Sequence, residues 1–191
     1  MTGRLRVVGG ALSGRRFASK VASVTRPTSD RVREAIASAV ESRGGFEGTS
    51  VLDLFAGTGA MAIEALSRGA ARAVLVERDR MAARAIEESL AALELSDRGR
   101  VLALDLTTRS SLARIEGPFD RVLVDPPYAE AQAVAPLLES LAPQLADGAL
   151  VVFEHPSKLD VALGPTFEVL AKKRYGDSAV LFARYARASP L

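Results

Sequence analysis

Residues 51–59 constrain the fold of this chain more than any other stretch. The apolar residues 51–55, interrupted by a single carboxylate at Asp53, run into a turn with glycines at positions 57 and 59. A helical pattern follows, so the stretch predicts strand, tight turn and helix, the first unit of an open α/β sheet. Glycine lets a ligand approach the backbone closely, and the helix N-terminus offers free N–H groups. The sequence therefore predicts a nucleotide-type ligand at this turn.

The spacing of the turn leaves two cofactor classes open. Gly57, Gly59 and Ala62 fit the pattern G-x-G-x-x-G/A, and Glu77 follows about 20 residues after the first glycine, where a dinucleotide site places its ribose-binding acid. An NAD-type site and an S-adenosylmethionine site both fit. Asp53 favours the second, because a carboxylate among apolar neighbours is costly to bury without a partner. The ammonium group of a methionine moiety would provide that partner.

Composition excludes several classes of protein and site. The chain has 191 residues, of which 48% are hydrophobic and 25% charged, as expected for one globular domain with a sizeable core. It has no cysteine and a single histidine, His155, so we expect no disulfide and no thiolate or histidine metal site. It also has no apolar run of membrane-spanning length and no signal peptide. We therefore expect a cytoplasmic protein without a metal or a membrane partner.

Positive charge is concentrated at the N-terminus. The net charge is only +2, but residues 1–29 contain no acid and six basic residues, namely Arg4, Arg6, Arg15, Arg16, Lys20 and Arg26. This asymmetry predicts a basic arm over residues 1–26 that meets phosphates, in front of a catalytic domain over residues 27–191. A solvated, poorly ordered terminus is the alternative.

The alternation of strand and helix patterns predicts a doubly wound, mostly parallel α/β sheet. A small hairpin is expected over residues 4–17 and a helix after Pro27. Further strands are expected over residues 73–76, 101–104, 121–124 and 149–153, with helices over 79–95, 110–115 and 131–145. The last two strands, over 167–174 and 179–185, are expected to form an antiparallel hairpin at the sheet edge.

Four acids lie at or near the ends of successive predicted strands: Asp53, Glu77, Asp105 and Asp125. The carboxyl ends of the strands line the ligand crevice of a doubly wound sheet, so these side chains are expected to share one site.

Residues 125–128, Asp-Pro-Pro-Tyr, are the most specific signal. The prolines fix φ and remove two backbone donors, which leaves carbonyl groups as acceptors. Asp125 and a proline carbonyl together accept both hydrogens of an NH₂ group, and Tyr128 offers a flat face on which a base stacks. The motif therefore predicts a site for an exocyclic amine. The alternative is a rigid turn with a packed tyrosine.

Residues 53–59 and residues 125–128 together resemble the motifs of the class I S-adenosylmethionine-dependent amino-methyltransferases. Four further segments are similar to the RsmD family, which methylates the 2-amino group of one guanine in 16S ribosomal RNA of the small subunit; they are residues 6–10, 14–16, 26–34 and 64–70. The resemblance covers most of the chain, and its N-terminal segments are its most specific part.

The resemblance implies a role for each matching residue. The cofactor would contact Asp53, Phe55, Ala56, Gly57, Gly59, Glu77, Arg78, Asp105 and Leu106, with the adenine amine on Asp105. The target guanine would lie against Asp125, Pro126, Pro127 and Tyr128. The RNA would meet the six basic residues of the arm and Arg31, while Thr28 and Arg31 remain open between the methionine end of the cofactor and the RNA.

The partner implied is 16S rRNA in a small subunit or its assembly intermediate, bound by a monomeric enzyme. Three alternatives remain: a DNA adenine or cytosine amino-methyltransferase, an NAD-dependent oxidoreductase and a non-catalytic RNA-binding module. The first is disfavoured because the sequence shows no obvious extra domain for sequence readout, and the third because the acids at all four strand ends are intact. His155 is expected to be a structural loop residue.

Overall fold

The computed structural model describes residues 3–19 and 30–187, which fall into two compact units divided in sequence between Leu104 and Asp105. Lys20, Arg26 and Thr28, three of the predicted site residues, lie outside the described residues. Within the described ranges, no helix is both long enough and apolar enough to cross a bilayer.

The first unit contains the predicted strand–turn–helix and a parallel sheet. Strands β3 (Ser50–Leu54), β4 (Arg72–Glu77) and β5 (Gly99–Ala103) pair in parallel in the order β5-β4-β3, and helices α2 (Ala60–Ser67) and α3 (Arg80–Ala92) make the crossovers. All five residues of β3 are buried, as in a strand covered on both faces, and they include the polar residues Ser50 and Asp53. The register opposes Asp53 to Leu75, so β3 and β4 end at the same edge.

The N-terminal segment of the first unit forms the predicted hairpin. Strands β1 (Gly3–Arg6) and β2 (Arg16–Ser19) pair antiparallel and precede helix α1 (Asp30–Glu41). Residues 9–14 form bends and turns between the two strands. Leu5 lies directly opposite Phe17, which is buried, and the two share the inner face of the hairpin.

The second unit carries the C-terminal antiparallel hairpin. Its strands β6 (Phe119–Val124), β7 (Leu145–Pro156), β8 (Phe167–Tyr175) and β9 (Ser178–Tyr185) follow the order β6-β7-β9-β8. β6 and β7 are parallel, whereas β9 runs antiparallel to both β7 and β8. The turn between β8 and β9 includes Gly176 at φ 63°. Both units thus alternate strands with helices, and the prediction of an α/β fold with a mostly parallel sheet and an antiparallel edge is confirmed.

Two predictions for the second unit are wrong in extent. The helix expected over residues 131–145 is a 3₁₀-helix over Tyr128–Ala133, α5 over Val134–Leu141 and a second 3₁₀ turn over Ala142–Gln144. Pro136 fits α5 because it lies in the first turn, where its missing N–H has no intrahelical acceptor. The short helix expected over residues 110–115 is α4 (Arg109–Leu112).

The expected strand over 149–153 is also too short. β7 continues to Pro156 because β9 pairs with it from Leu150 to Pro156, and His155 lies opposite Ala179 in that pairing. The expectation that His155 is a loop residue is therefore wrong: its side chain is buried inside a strand.

Candidate functional site

The glycine turn after β3 has the backbone geometry that a ligand-binding turn needs. Phe55, Gly57 and Gly59 all have positive φ, at 62°, 55° and 72°. A Cβ added to Gly59 would lie 2.9 Å from Cγ2 of Ile86, so packing against α3 requires glycine there. A Cβ added to Gly57 would have only the Phe55 carbonyl oxygen within 4 Å, at 3.8 Å. The space beside Gly59 is therefore filled by neighbouring side chains, whereas the space beside Gly57 is open and a ligand can approach the backbone there.

The Glu77 carboxylate connects this turn to the next one. One oxygen accepts from Gly57 N–H at 2.9 Å, and the other accepts from Asp79 N–H at 2.8 Å. Asp79 in turn caps α3 by accepting from Ala82 N–H at 2.8 Å. Glu77 is only partly buried and a carboxylate has about four lone-pair sites, so it retains acceptor capacity for two hydroxyl groups. Arg78, beside it, is exposed.

Asp53 is buried and has a partner at the start of α2. Its Oδ2 atom accepts from Ala62 N–H at 3.2 Å, which satisfies one of the free donors of the helix N-terminus. The carboxylate therefore lies beside the positive end of the α2 dipole. The sequence predicted a cost for burying Asp53, and this hydrogen bond offsets part of it.

In the second unit, the Asp125–Tyr128 motif begins at the residue after β6. Asp125 is exposed, whereas Pro126 is buried and fixes the motif to the protein directly after the buried end of β6. The Pro127 carbonyl accepts from Glu130 N–H at 2.8 Å, so the motif leads directly into the following 3₁₀-helix.

The Tyr128 side chain combines an open face with a fixed end. It is 58% exposed, and its Oη atom is 3.1 Å from Oγ of Ser178, the first residue of β9. The hydroxyl group is thus held while the ring remains available for stacking. Sequence reasoning missed Ser178, because no local pattern relates it to a residue 50 positions away.

Asp105 and Leu106 belong to the second unit, where Asp105 shapes its own loop. The Asp105 Oδ1 atom accepts from the backbone N–H of Thr107 at 2.9 Å and from its hydroxyl at 2.8 Å. Asp105 is exposed and Leu106 is partly buried. The structure thus brings together Asp53, the glycine turn and Glu77 in the first unit, and Asp125–Tyr128 in the second.

A buried polar network, which the sequence did not predict, joins the N-terminal hairpin to α2. Glu64 is 1% exposed; its carboxylate accepts from Val8 N–H at 2.8 Å, from Gly9 N–H at 2.7 Å and from Arg68 Nε at 2.8 Å. Arg68 also bonds Glu34 of α1 at 2.6 Å. Burial acts to lower the pKa of Arg68, but its bonds to Glu64 and Glu34 outweigh burial and raise that pKa above its ordinary value.

Glycines at positions 9 and 10 make this network possible. A Cβ on Gly9 would collide with the Arg68 guanidinium, and one on Gly10 with the Ser67 backbone. The Ser67 hydroxyl donates to the Gly9 carbonyl at 2.6 Å and accepts from Leu12 N–H at 2.9 Å. The signal in the sequence was a single acid, Glu64, inside the otherwise apolar α2.

The basic residues of the hairpin are exposed, and some of them also pair with acids. Arg4, Arg6 and Arg16 are exposed on the outer face, opposite to Leu5 and Phe17. Two of the arginines already have protein partners: Arg6 pairs with Asp30 at 3.3 Å, and Arg15 with Glu94 at 3.5 Å. Arg31 is exposed on α1. The hairpin is thus packed on its inner side and basic on its outer side.

The surroundings of His155 favour its neutral form. Its Nδ1 atom is 2.9 Å from the Pro156 carbonyl, which fixes Nδ1 as the protonated nitrogen, and its ring lies 5.3 Å from that of Phe153. Burial lowers the pKa of His155; the bond to Pro156 opposes this and the charge of Lys172 adds to it. His155 therefore has a structural role in the second unit.

Comparison with known proteins places this geometry in context. The model of the family described as "Conserved hypothetical protein 95" matches residues 5–184. The chain is 34% identical over 160 residues to the Bacillus subtilis protein named "Putative rRNA methyltransferase YlbH", a match that covers 82% of this chain and 85% of that protein.

Two further matches come from Escherichia coli, one by sequence and one by structure. "Ribosomal RNA small subunit methyltransferase D" is 36% identical over 127 residues, which are 66% of this chain and 62% of that protein. The solved structure of "Putative methyltransferase yhhF" has a TM-score of 0.83 and 31% identity, and the match covers 96% of this chain and 99% of that one.

Proposed function

The chain belongs to the RsmD family, and from this membership we propose that it transfers the methyl group of S-adenosylmethionine to the 2-amino group of a guanine in small-subunit rRNA. The family and the rRNA methyltransferase activity follow from the names of the relatives, whereas the cofactor is part of our proposal. The guanine, the reacting atom and the residue roles are our proposal. The observation that carries it is the exposed Asp125–Tyr128 motif, held between a buried strand and Ser178.

The first unit fits the cofactor. The methionine part of S-adenosylmethionine is a zwitterion, and the turn presents charges of both signs: the Asp53 carboxylate for the ammonium group and the α2 N-terminus for the carboxylate. Glu77, which its two backbone bonds already orient, would accept from the two ribose hydroxyls. The cofactor supplies an electrophilic methyl group on a sulfonium.

The second unit would hold the base. The guanine must leave its stack to reach an enzyme site, and it would stack on the exposed Tyr128 ring for about 1–3 kcal/mol. Asp125 and the Pro126 carbonyl would accept the two amine hydrogens. These bonds favour a pyramidal nitrogen whose lone pair, otherwise conjugated with the ring, points at the methyl group. Most of the acceleration would then come from positioning.

Proton removal needs no strong base in this mechanism. The nitrogen becomes acidic once it carries the methyl group, so its proton can leave late, by way of Asp125 to solvent. Asp105 would accept from the adenine amine. We place the reaction in the cytoplasm, on a partly or fully assembled small subunit, with a monomeric enzyme. The outer arginines of the hairpin would bind the RNA backbone.

A labelled-methyl assay tests the proposal. Substrates would be unmethylated small subunits, naked 16S rRNA and duplex DNA, and the labelled nucleoside would be identified after digestion. We expect label in N2-methylguanosine, with small subunits as the best substrate. Label in DNA, or on another base, would contradict the proposal.

A further inference from the structure

We propose that the tip of the β8–β9 hairpin, residues 172–178, is a second RNA-binding surface, on which Lys173 contacts a phosphate beside the target guanine. The inference rests on the proposed function, because it requires an RNA whose guanine is held at Asp125–Tyr128. It assigns an RNA contact to the second unit, in addition to the contacts proposed for the N-terminal hairpin.

The tip is joined to the base-binding motif. The bond between Tyr128 Oη and Ser178 Oγ, at 3.1 Å, places the start of β9 beside the exposed tyrosine ring. Ser178 lies directly opposite Tyr175 of β8 and Pro156 of β7. A nucleotide stacked on Tyr128 would therefore have its backbone next to these strand ends.

The strand register decides which lysine faces the RNA. Residues directly opposite each other in an antiparallel pair share a face, and residues two apart on one strand share it as well. Lys173 is opposite Val180, two residues from Ser178, so Lys173 lies on the face that meets Tyr128. Its Cα atom is about 7 Å along the strand from that of Tyr175.

Lys172 lies on the other face. It is opposite Leu181, which is in turn opposite Phe153, and this is the face of buried His155. Both lysines are exposed, and neither makes an ion pair with any residue that the structure describes, whereas Arg184 at the far end of the hairpin pairs with Glu168 at 3.9 Å.

Acids near the tip do not cancel its charge. Three consecutive cations, Lys172, Lys173 and Arg174, precede Tyr175 at the end of β8, and the turn that follows contains one acid, Asp177. Glu154 lies on the same face as Lys173, but two strands away on β7. Lysine on an edge strand also protects against pairing between molecules, and this is the rival explanation for Lys172 and Lys173.

Two neighbouring substitutions separate these explanations. Lys173→Gln and Lys172→Gln each remove one charge from an exposed site on the same strand, but from opposite faces. Binding of the full-length protein to unmethylated small subunits would be measured across a salt series, together with KM and kcat for methyl transfer. Light scattering would report self-association.

We expect Lys173→Gln to flatten the log–log salt dependence by about 0.7–0.9, the value for one phosphate contact. That slope corresponds to a loss of about five- to eightfold in affinity at 0.1 M salt. KM should rise by a similar factor with kcat unchanged at saturation, and Lys172→Gln should behave as wild type.

An unchanged slope in Lys173→Gln, or an equal change in both variants, would overturn the inference while the proposed function stood. Self-association of the variants with an unchanged slope would assign the lysines to edge protection, and would overturn it too. If the wild-type protein methylated no guanine in the small subunit, the proposed function and the inference would both fail.

Discussion

Replacing Glu64 by alanine should strongly destabilise the first unit. The substitution removes three hydrogen bonds at 2.7–2.8 Å, leaves the N–H groups of Val8 and Gly9 without their acceptor, and takes one partner from Arg68. Breaking a buried charge pair by removing one partner costs about 3–5 kcal/mol. Each N–H group left without an acceptor costs about 1–3 kcal/mol. Partial hydration reduces that cost, so the two N–H groups together give a loss in the same range as the broken charge pair. We expect a loss of about 3–5 kcal/mol.

Urea unfolding measures this loss directly. In a chain of this size, 1 kcal/mol corresponds to about 2–4 °C in Tm, so a thermal melt gives a second reading. Glu64→Gln should cost less than alanine, because its amide oxygen still accepts one N–H. The matched control is Glu87→Ala on α3, which is exposed and should change stability by no more than about 0.5 kcal/mol.

Hydrogen exchange provides a local test of the same argument. The amides of Val8 and Gly9 should lose protection in Glu64→Ala beyond what the change in global stability explains. A loss of stability below about 1 kcal/mol, or amides that remain as protected as in the wild type, would refute the role of Glu64 as the centre of the network.

Four further predictions concern the site and the pH dependence of stability. Glu77→Ala should weaken S-adenosylmethionine binding by about 2–4 kcal/mol, since two charge-assisted bonds to the ribose are lost; unchanged affinity by calorimetry would contradict its role. Asp125→Ala should abolish methyl transfer but retain S-adenosylhomocysteine affinity, and near-wild-type turnover would reduce the motif to a structural turn. Arg4→Ala with Arg16→Ala should flatten the salt dependence of substrate binding by about one to two units, whereas a solvated hairpin predicts no change. The pKa of His155 is lowered in the folded protein, so above its ordinary value of 6.5 the imidazole is neutral in both the folded and the unfolded chain, and its protonation takes nothing from the stability. Below 6.5 the unfolded chain binds a proton that the folded protein does not bind, so the free energy of unfolding falls as the pH falls. The fall ends once the pH is below the lowered pKa of the folded state. Urea midpoints at pH 7.5 and 5.5 should show this loss in wild type and not in His155→Phe.

The sequence predicted the strand–turn–helix and the family because both depend on local patterns. The apolar run before Gly57 and the motif at Asp125 are readable within a few residues, and the family and the methyltransferase class that they indicated are confirmed. The roles of the individual site residues, the division into an arm and a domain, and the monomeric state stay predictions.

What the sequence did not predict depends on distant partners. Glu64 and Gly9 are 55 positions apart, and Tyr128 and Ser178 are 50 apart, so no periodicity relates them. The extent of β7 was wrong for the same reason, since its last residues are strand only because β9 pairs with them. Family resemblance marked the segments that contain Glu64 and Gly9 but gave no physical reason for them.

Phe55 has a consequence for any attempt to engineer this protein. An aromatic residue at φ 62° occupies a region that costs a side chain on the order of 1–3 kcal/mol, and the turn bonds of Ala56 and Gly59 hold it there. Glycine at position 55 would relieve that strain and remove the partly buried ring beside the glycine turn. Phe55→Gly would therefore exchange backbone strain for the lost packing of a partly buried ring, and a screen for thermal tolerance alone would not report whether that ring serves the proposed cofactor site.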